Sequence, residues 1–150
     1  MSAIGVLGGG AWGTALAQML ASEGREVRLW AREPEVVDAI NTQHRNPVFL
    51  PSAQLANSIR ATSDLGDMAG LEILLVVTPA QHMASVLGDM AAHPRDLVLC
   101  SKGIDAATGL LLNHVARDAA PGSEVAVLSG PTFAHEVAAG LPTAVTLACS

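Results

Sequence analysis

Short apolar runs alternate with stretches of helical periodicity along the whole chain. Ala3 to Leu7 reads as a first strand, followed by a helix from about Ala11 to Ser22. Glu26 to Ala31 predicts a second strand. A helix then begins near Pro34, where a missing N–H is no loss in a first turn. The stretch "NTQHRNPVFLPSAQLANS", residues 41–58, predicts a long loop. Ile59 to Thr62 predicts a weak strand, with Ser63 or Asp64 capping a short helix. Then "EILLVVT" precedes a helix from Pro79, "DLVLCS" one from about Ala106 to Ala119, and "EVAVLS" one from Thr132. "TAVTLAC" predicts a last strand. Val-, Leu- and Ile-rich strands separated by helices imply an α/β fold: a mostly parallel sheet, right-handed crossovers and helices on both faces. No repeat, low-complexity tract or linker divides residues 1–150, which read as one domain. The ending "TAVTLACS" breaks off in or just after a strand, as a chain cut at a domain boundary would.

Composition narrows the class of partner. The chain has 150 residues, of which 50% are hydrophobic and 15% charged. That length suffices to bury roughly 68–70% of the unfolded surface without a disulfide or metal staple. A net charge of −6 argues against nucleic acid, but leaves room for a small anionic ligand held by local groups. Cys100 and Cys149 do not make a disulfide framework, so a reducing compartment is the simpler inference. The apolar N-terminus, "AIGVLGGGAWGTALAQML", approaches the length of a membrane span. It lacks a basic flank and is broken by glycines, so no membrane insertion is expected and the chain reads as cytoplasmic.

Those glycines carry chemistry. Gly8, Gly10 and Gly13 form a G-x-G-x-x-G pattern between a predicted strand and a predicted helix, the context that separates a dinucleotide site from a merely glycine-rich turn. Gly8 allows the tight turn, Gly10 lets backbone approach a diphosphate, and Gly13 lets helix and strand pack closely. The helix N-terminus offers free N–H groups and partial positive charge to that diphosphate. A Rossmann-type cofactor domain is therefore expected. The second strand ends in Ala31 and Arg32, where an NAD-preferring site usually has a carboxylate for the ribose 2′-hydroxyl. A guanidinium there can hold a 2′-phosphate through two parallel bonds. NADP(H) is thus favoured, and NAD(H) stays open because Glu33 could serve as a ribose acceptor.

Lys102, in "CSKGI", is the only lysine; the other cationic side chains are arginines. It follows the strand "DLVLCS", at the sheet edge where open parallel sheets bind ligands. A compact ammonium with three donors can bridge a substrate hydroxyl and a nearby phosphate or ribose; otherwise it is a solvated surface charge. Gly103 would keep this loop slim. Gly130-Pro131 breaks a strand at the same edge, and Thr132 is expected to cap the next helix, with Glu136 in its first turn. His44, His82, His93, His114 and His135 have no metal-binding spacing, and no metal site is expected. His82 reads as a surface or core residue, with a position facing the nicotinamide as the alternative. Ser101 and Ser129 lack a His–Asp partner, so nucleophilic catalysis is unsupported.

The segments "GGGAWGTALA", "NPVFLP", "SKGI" with a following "TG", and "SGPTFAHEVAAGLPTA" resemble, in order and rough spacing, bacterial NAD(P)-dependent glycerol-3-phosphate dehydrogenases. The likeness runs from Gly5 to the last residues, and the "SGPTFA…GLPTA" block is its most specific part. It implies interconversion of sn-glycerol 3-phosphate and dihydroxyacetone phosphate, feeding phospholipid synthesis. It also implies cofactor contacts at Ala11, Trp12, Arg32 and Ala134, a shared cofactor and substrate contact at Lys102, and a substrate site lined by Gly130 and Thr132. Ala11 stands where serine is common and Phe49 where tyrosine is frequent. Such proteins carry a second, helical substrate domain holding the proton-transfer lysine and the main phosphate ligands. None of that lies in these residues, so Lys102 is expected to orient substrate and the isolated chain to bind cofactor without turnover. A homodimer of the longer protein is left open. Another hydroxy-acid dehydrogenase's cofactor domain and a nucleotide-binding sensor are the alternatives.

Overall fold

Val6 and Leu7, adjacent in strand β1 (Ile4–Leu7), point to opposite faces and enter two different cores. That alternation builds a three-layer molecule. In the computed structural model, which describes residues 2–90 and 95–149, the other strands are β2 (Val27–Trp30), β3 (Ile59–Thr62), β4 (Ile73–Val76), β5 (Asp96–Leu99), β6 (Glu124–Ser129) and β7 (Thr146–Cys149). They form one sheet in the order β3-β2-β1-β4-β5-β6-β7, parallel throughout except for β7. Helices α1 (Ala11–Ser22) and α2 (Pro34–Gln43) cover one face, where Leu16, Ala17, Val36 and Ile40 pack on Val6, Leu29, Ile59 and Leu75. Helices α3 (Met83–Asp89) and α4 (Leu112–Ala119) cover the other, bringing Met83, Leu87, Leu112 and Ala116 against Leu7, Leu74, Val76 and Leu99. Helix α5 (Ala134–Ala138) packs beside α1, with Val137 against Ala15 and Leu50.

The expected α/β architecture is present, and α1 has the expected bounds. Pro34 is in the first turn of α2, and Asp64 caps a short 3₁₀ turn, its Oδ1 accepting from the Gly66 N–H at 2.8 Å. Four local expectations change. Helix α2 runs through Gln43, so the loop begins only at His44, the left-handed residue that ends the helix (φ 53°). The helix expected from Pro79 opens as a 3₁₀ turn, Ala80–His82, before α3. The helix expected from Ala106 starts only at Leu112. Asp105 is buried, and its Oδ2 accepts from the Thr108 N–H and hydroxyl at 2.9 and 2.7 Å, closing a turn that competes with helix. Last, Thr132 does not cap α5; Phe133 occupies that position and no side chain caps the helix.

The apolar N-terminal stretch resolves into β1, a glycine turn and α1. Among the described residues, no helix is long and apolar enough to cross a membrane. His93 lies outside the described residues.

Candidate functional site

The strand order reverses between β1 and β4: β1 leads to α1 on one face and β4 leads to α3 on the other. The segments leaving these two strands therefore diverge, and the crevice at their C-terminal ends is where doubly wound sheets take ligands. Gly8 begins the turn. Its N–H donates to Trp30 O at 2.9 Å, and the Val77 N–H donates to Leu7 O at 2.8 Å. Gly8 has φ 130°, and a Cβ there would stand 2.8 Å from the carbonyl of Val77. A Cβ on Gly13 would stand 1.9 Å from Gly8 O, so α1 can cross the turn this closely only with glycine. Gly10, by contrast, faces open space, with nothing within 4 Å of a Cβ. It is also the N-cap of α1, whose first turn has no side-chain cap among the described residues, so free N–H groups are left there.

One cavity of about 340 Å³ opens on this turn, walled by Gly8, Gly9, Gly10, Arg32, Glu33, Phe49, Thr78 and His82 among others. Arg32 is exposed just past β2. His82 is exposed too, and it lines this cavity rather than the one that Lys102 borders.

Phe49 reaches the cavity because Asn46 ties its loop to the glycine turn. Asn46 is fully buried. Its Nδ2 donates to Gly9 O and to Thr14 Oγ1, both at 2.8 Å, while its Oδ1 accepts from the Phe49 N–H at 3.1 Å. The Thr14 hydroxyl in turn donates to Gly9 O at 3.3 Å. One side chain thus fixes the turn, the first part of α1 and the loop carrying Phe49.

A second cavity of about 330 Å³ lies on the other side of the α1 N-terminus. Ala11, Trp12, Cys100, Lys102, Ser129, Gly130, Thr132 and Ala134 line it, so the β5 and β6 ends and the start of α5 converge on one space. Lys102 is exposed and also borders a third cavity with Ser101, Gly103 and Asn113. Gly103 faces open space; its φ of 119° is what requires glycine, rather than crowding within the chain. Gly130 packs tightly, since a Cβ there would meet Ala144 O at 2.7 Å. The Thr132 Oγ1, freed from the capping role, is buried with no hydrogen-bond partner among the described residues. Ser101 donates its hydroxyl to Val76 O at 3.3 Å and to Thr78 O, which commits it to holding the ends of β4 and β5 together. Burial pushes the Cys100 thiol up to about 12, so it stays protonated and unreactive.

The site residues read from the sequence thus divide between two neighbouring spaces. Gly8, Gly10 and Arg32 border the first; Ala11, Trp12, Lys102, Gly130, Thr132 and Ala134 border the second; Gly13 lies beneath the turn that joins them. This arrangement fits a dinucleotide. The uncapped helix N-terminus and the open face of Gly10 would admit a diphosphate, and the Thr78 hydroxyl, on a residue 2% exposed, has no hydrogen-bond partner among the described residues. Sequence reasoning missed Asn46 and Thr78. The Asn-Pro step within an otherwise apolar "NPVFLP" was the available signal for Asn46; Thr78 reads simply as the end of a strand.

Residues 3–150 match the family described as the N-terminus of NAD-dependent glycerol-3-phosphate dehydrogenase. A glycerol-3-phosphate dehydrogenase, NAD(P)+, of Erythrobacter litoralis is 66% identical over 147 residues, which cover 98% of this chain and 44% of the relative. One from Novosphingobium aromaticivorans is 68% identical with the same coverage. A crystal structure of glycerol-3-phosphate dehydrogenase from Coxiella burnetii superposes with a TM-score of 0.89 at 35% identity, covering 97% of this chain and 46% of that one. The chain therefore spans less than half the length of these relatives. With residues 3–150 matched and these relatives well above 30% identical, the chain belongs to the family of NAD-dependent glycerol-3-phosphate dehydrogenase N-terminal domains.

Proposed function

We propose that residues 1–150 are the dinucleotide-binding domain of a longer cytoplasmic oxidoreductase. It interconverts sn-glycerol 3-phosphate and dihydroxyacetone phosphate with NADP(H) in preference to NAD(H), and supplies glycerol 3-phosphate for phospholipid synthesis. A homodimer of the complete protein belongs to the same reading. The observation that carries it is the junction of two cavities at the α1 N-terminus, one bordered by Arg32 and the other by Lys102. The family membership favours this reading over a sensor or another hydroxy-acid dehydrogenase.

Each residue then has a physical task. Gly8, Gly10 and Gly13 keep side chains away from the diphosphate, and the first-turn N–H groups of α1 donate to it. Arg32 pairs with the 2′-phosphate through its planar fork. Ala11, Trp12 and Ala134 form apolar walls that exclude water from the nicotinamide end. When bound, the dinucleotide supplies or accepts the hydride. Lys102 donates hydrogen bonds to the substrate oxygen, opposing the negative charge that develops on it during ketone reduction. The Thr132 hydroxyl and the backbone at Gly130 hold the substrate against this side of the sheet. The proton-transfer lysine and the main phosphate ligands belong to the part of the protein beyond these residues, so the isolated chain binds without turnover.

The direct test is oxidation of NADPH by the full-length protein on addition of dihydroxyacetone phosphate, with and without Lys102→Met. Turnover is expected in the native protein. The variant should lose at least about tenfold in kcat/KM, the scale of one hydrogen bond from a charged group. NADPH binding without any turnover on this substrate would contradict the assignment.

A further inference from the structure

We infer that Thr78 is a cofactor ligand, its hydroxyl hydrogen-bonding an oxygen of the diphosphate or the adjoining ribose common to NADP(H) and NAD(H). This rests on the dinucleotide-binding reading above and adds a contact that neither the glycine motif nor the family resemblance assigns.

Thr78 follows β4 on the far side of the switch point from the glycine turn. Its backbone lies against that turn: a Cβ on Gly8 would stand 3.1 Å from Thr78 N. Thr78 is only 2% exposed and lines the same cavity as Gly8, Gly9 and Gly10. Its Oγ1 is buried without a hydrogen-bond partner among the described residues, although its carbonyl is bound by the Ser101 hydroxyl. A threonine hydroxyl left in that condition is a standing cost to the fold, since burying it without a partner forfeits its hydration. Valine has nearly the same shape and carries no such penalty. The hydroxyl is accounted for if a ligand in the cavity completes its bonding. The diphosphate is the candidate for that role: the α1 N-terminus gives this cavity a phosphate-binding character, and Thr78 is among the residues that line it.

The prediction has an unusual sign. In the full-length protein, Thr78→Val should weaken NADPH and NADH binding equally, by about fivefold each. The melting temperature without cofactor should stay level or rise. Thr78→Ser, which keeps the hydroxyl, should recover most of the affinity. Calorimetric titration and thermal unfolding read these quantities separately. Unchanged affinity in Thr78→Val would overturn the inference. So would a lowered melting temperature without cofactor, because the hydroxyl would then have its partner inside the protein. If the native protein binds neither dinucleotide, the broader reading fails as well; if it binds both and Thr78→Val binds them equally well, only this inference falls.

Discussion

Gly13→Ala is expected to abolish dinucleotide binding and to cost at least about 3 kcal/mol of stability, the upper range of overpacking effects. The added Cβ would stand 1.9 Å from the backbone Gly8 O, and its own position is fixed by the helix backbone, so no rotamer change relieves the contact. Either α1 moves away from β1 or the turn at Gly8 deforms. The first opens the core around Leu16 and Ala17, and the second destroys the cradle. Gly10→Ala separates these effects, because its Cβ would meet nothing within 4 Å. That variant should fold with native stability and lose affinity only where the ligand would touch the turn. Denaturant unfolding combined with titration of both variants checks the pair. A Gly13→Ala protein of native stability would show that the close crossing is not required.

Asn46→Ala should be nearly as damaging, costing about 2–4 kcal/mol because it strips partners from buried polar groups. The Phe49 N–H loses its acceptor, Gly9 O loses its 2.8 Å donor, and Thr14 Oγ1 loses the amide that fixes its orientation. The effect should reach the ligand, because the same side chain holds the glycine turn and the loop that brings Phe49 to the first cavity. Cofactor affinity is expected to fall along with stability. A loss of less than about 0.5 kcal/mol, the range of ordinary surface substitutions, would mean that the loop and turn are held by other contacts.

These two positions show what was legible in the sequence. The role of Gly13 follows from spacing alone, because a glycine motif between a strand and a helix has one steric solution. Short apolar runs and helical periodicity likewise located the seven strands and the bounds of α1. Asn46 was not legible, since its three partners lie in other segments or are backbone atoms, and polar residues near proline ordinarily mark exposed loop. The shortened α4 has a related cause: Asp105 bonds Thr108 and takes the chain out of helix, a choice periodicity does not register. At α5 the cap expected of Thr132 is not made, because the helix begins after Phe133. Thr78 was hidden for the opposite reason. Its significance is a missing bond, visible only when every neighbour has been placed.

The most direct test of the account is a titration of NADPH and NADH against this chain and its Arg32→Ala variant, followed by the fluorescence of Trp12, which lines the second cavity beside Ala11 and Lys102. Saturable quenching by both dinucleotides is predicted, tighter with NADPH. Arg32→Ala should weaken NADPH about tenfold and leave NADH nearly unchanged, as expected for losing a charge-assisted pair to the 2′-phosphate. Equal affinity for the two cofactors, unaffected by Arg32→Ala, would contradict the proposed NADP(H) preference. The absence of saturable binding by a folded chain would contradict the dinucleotide site itself.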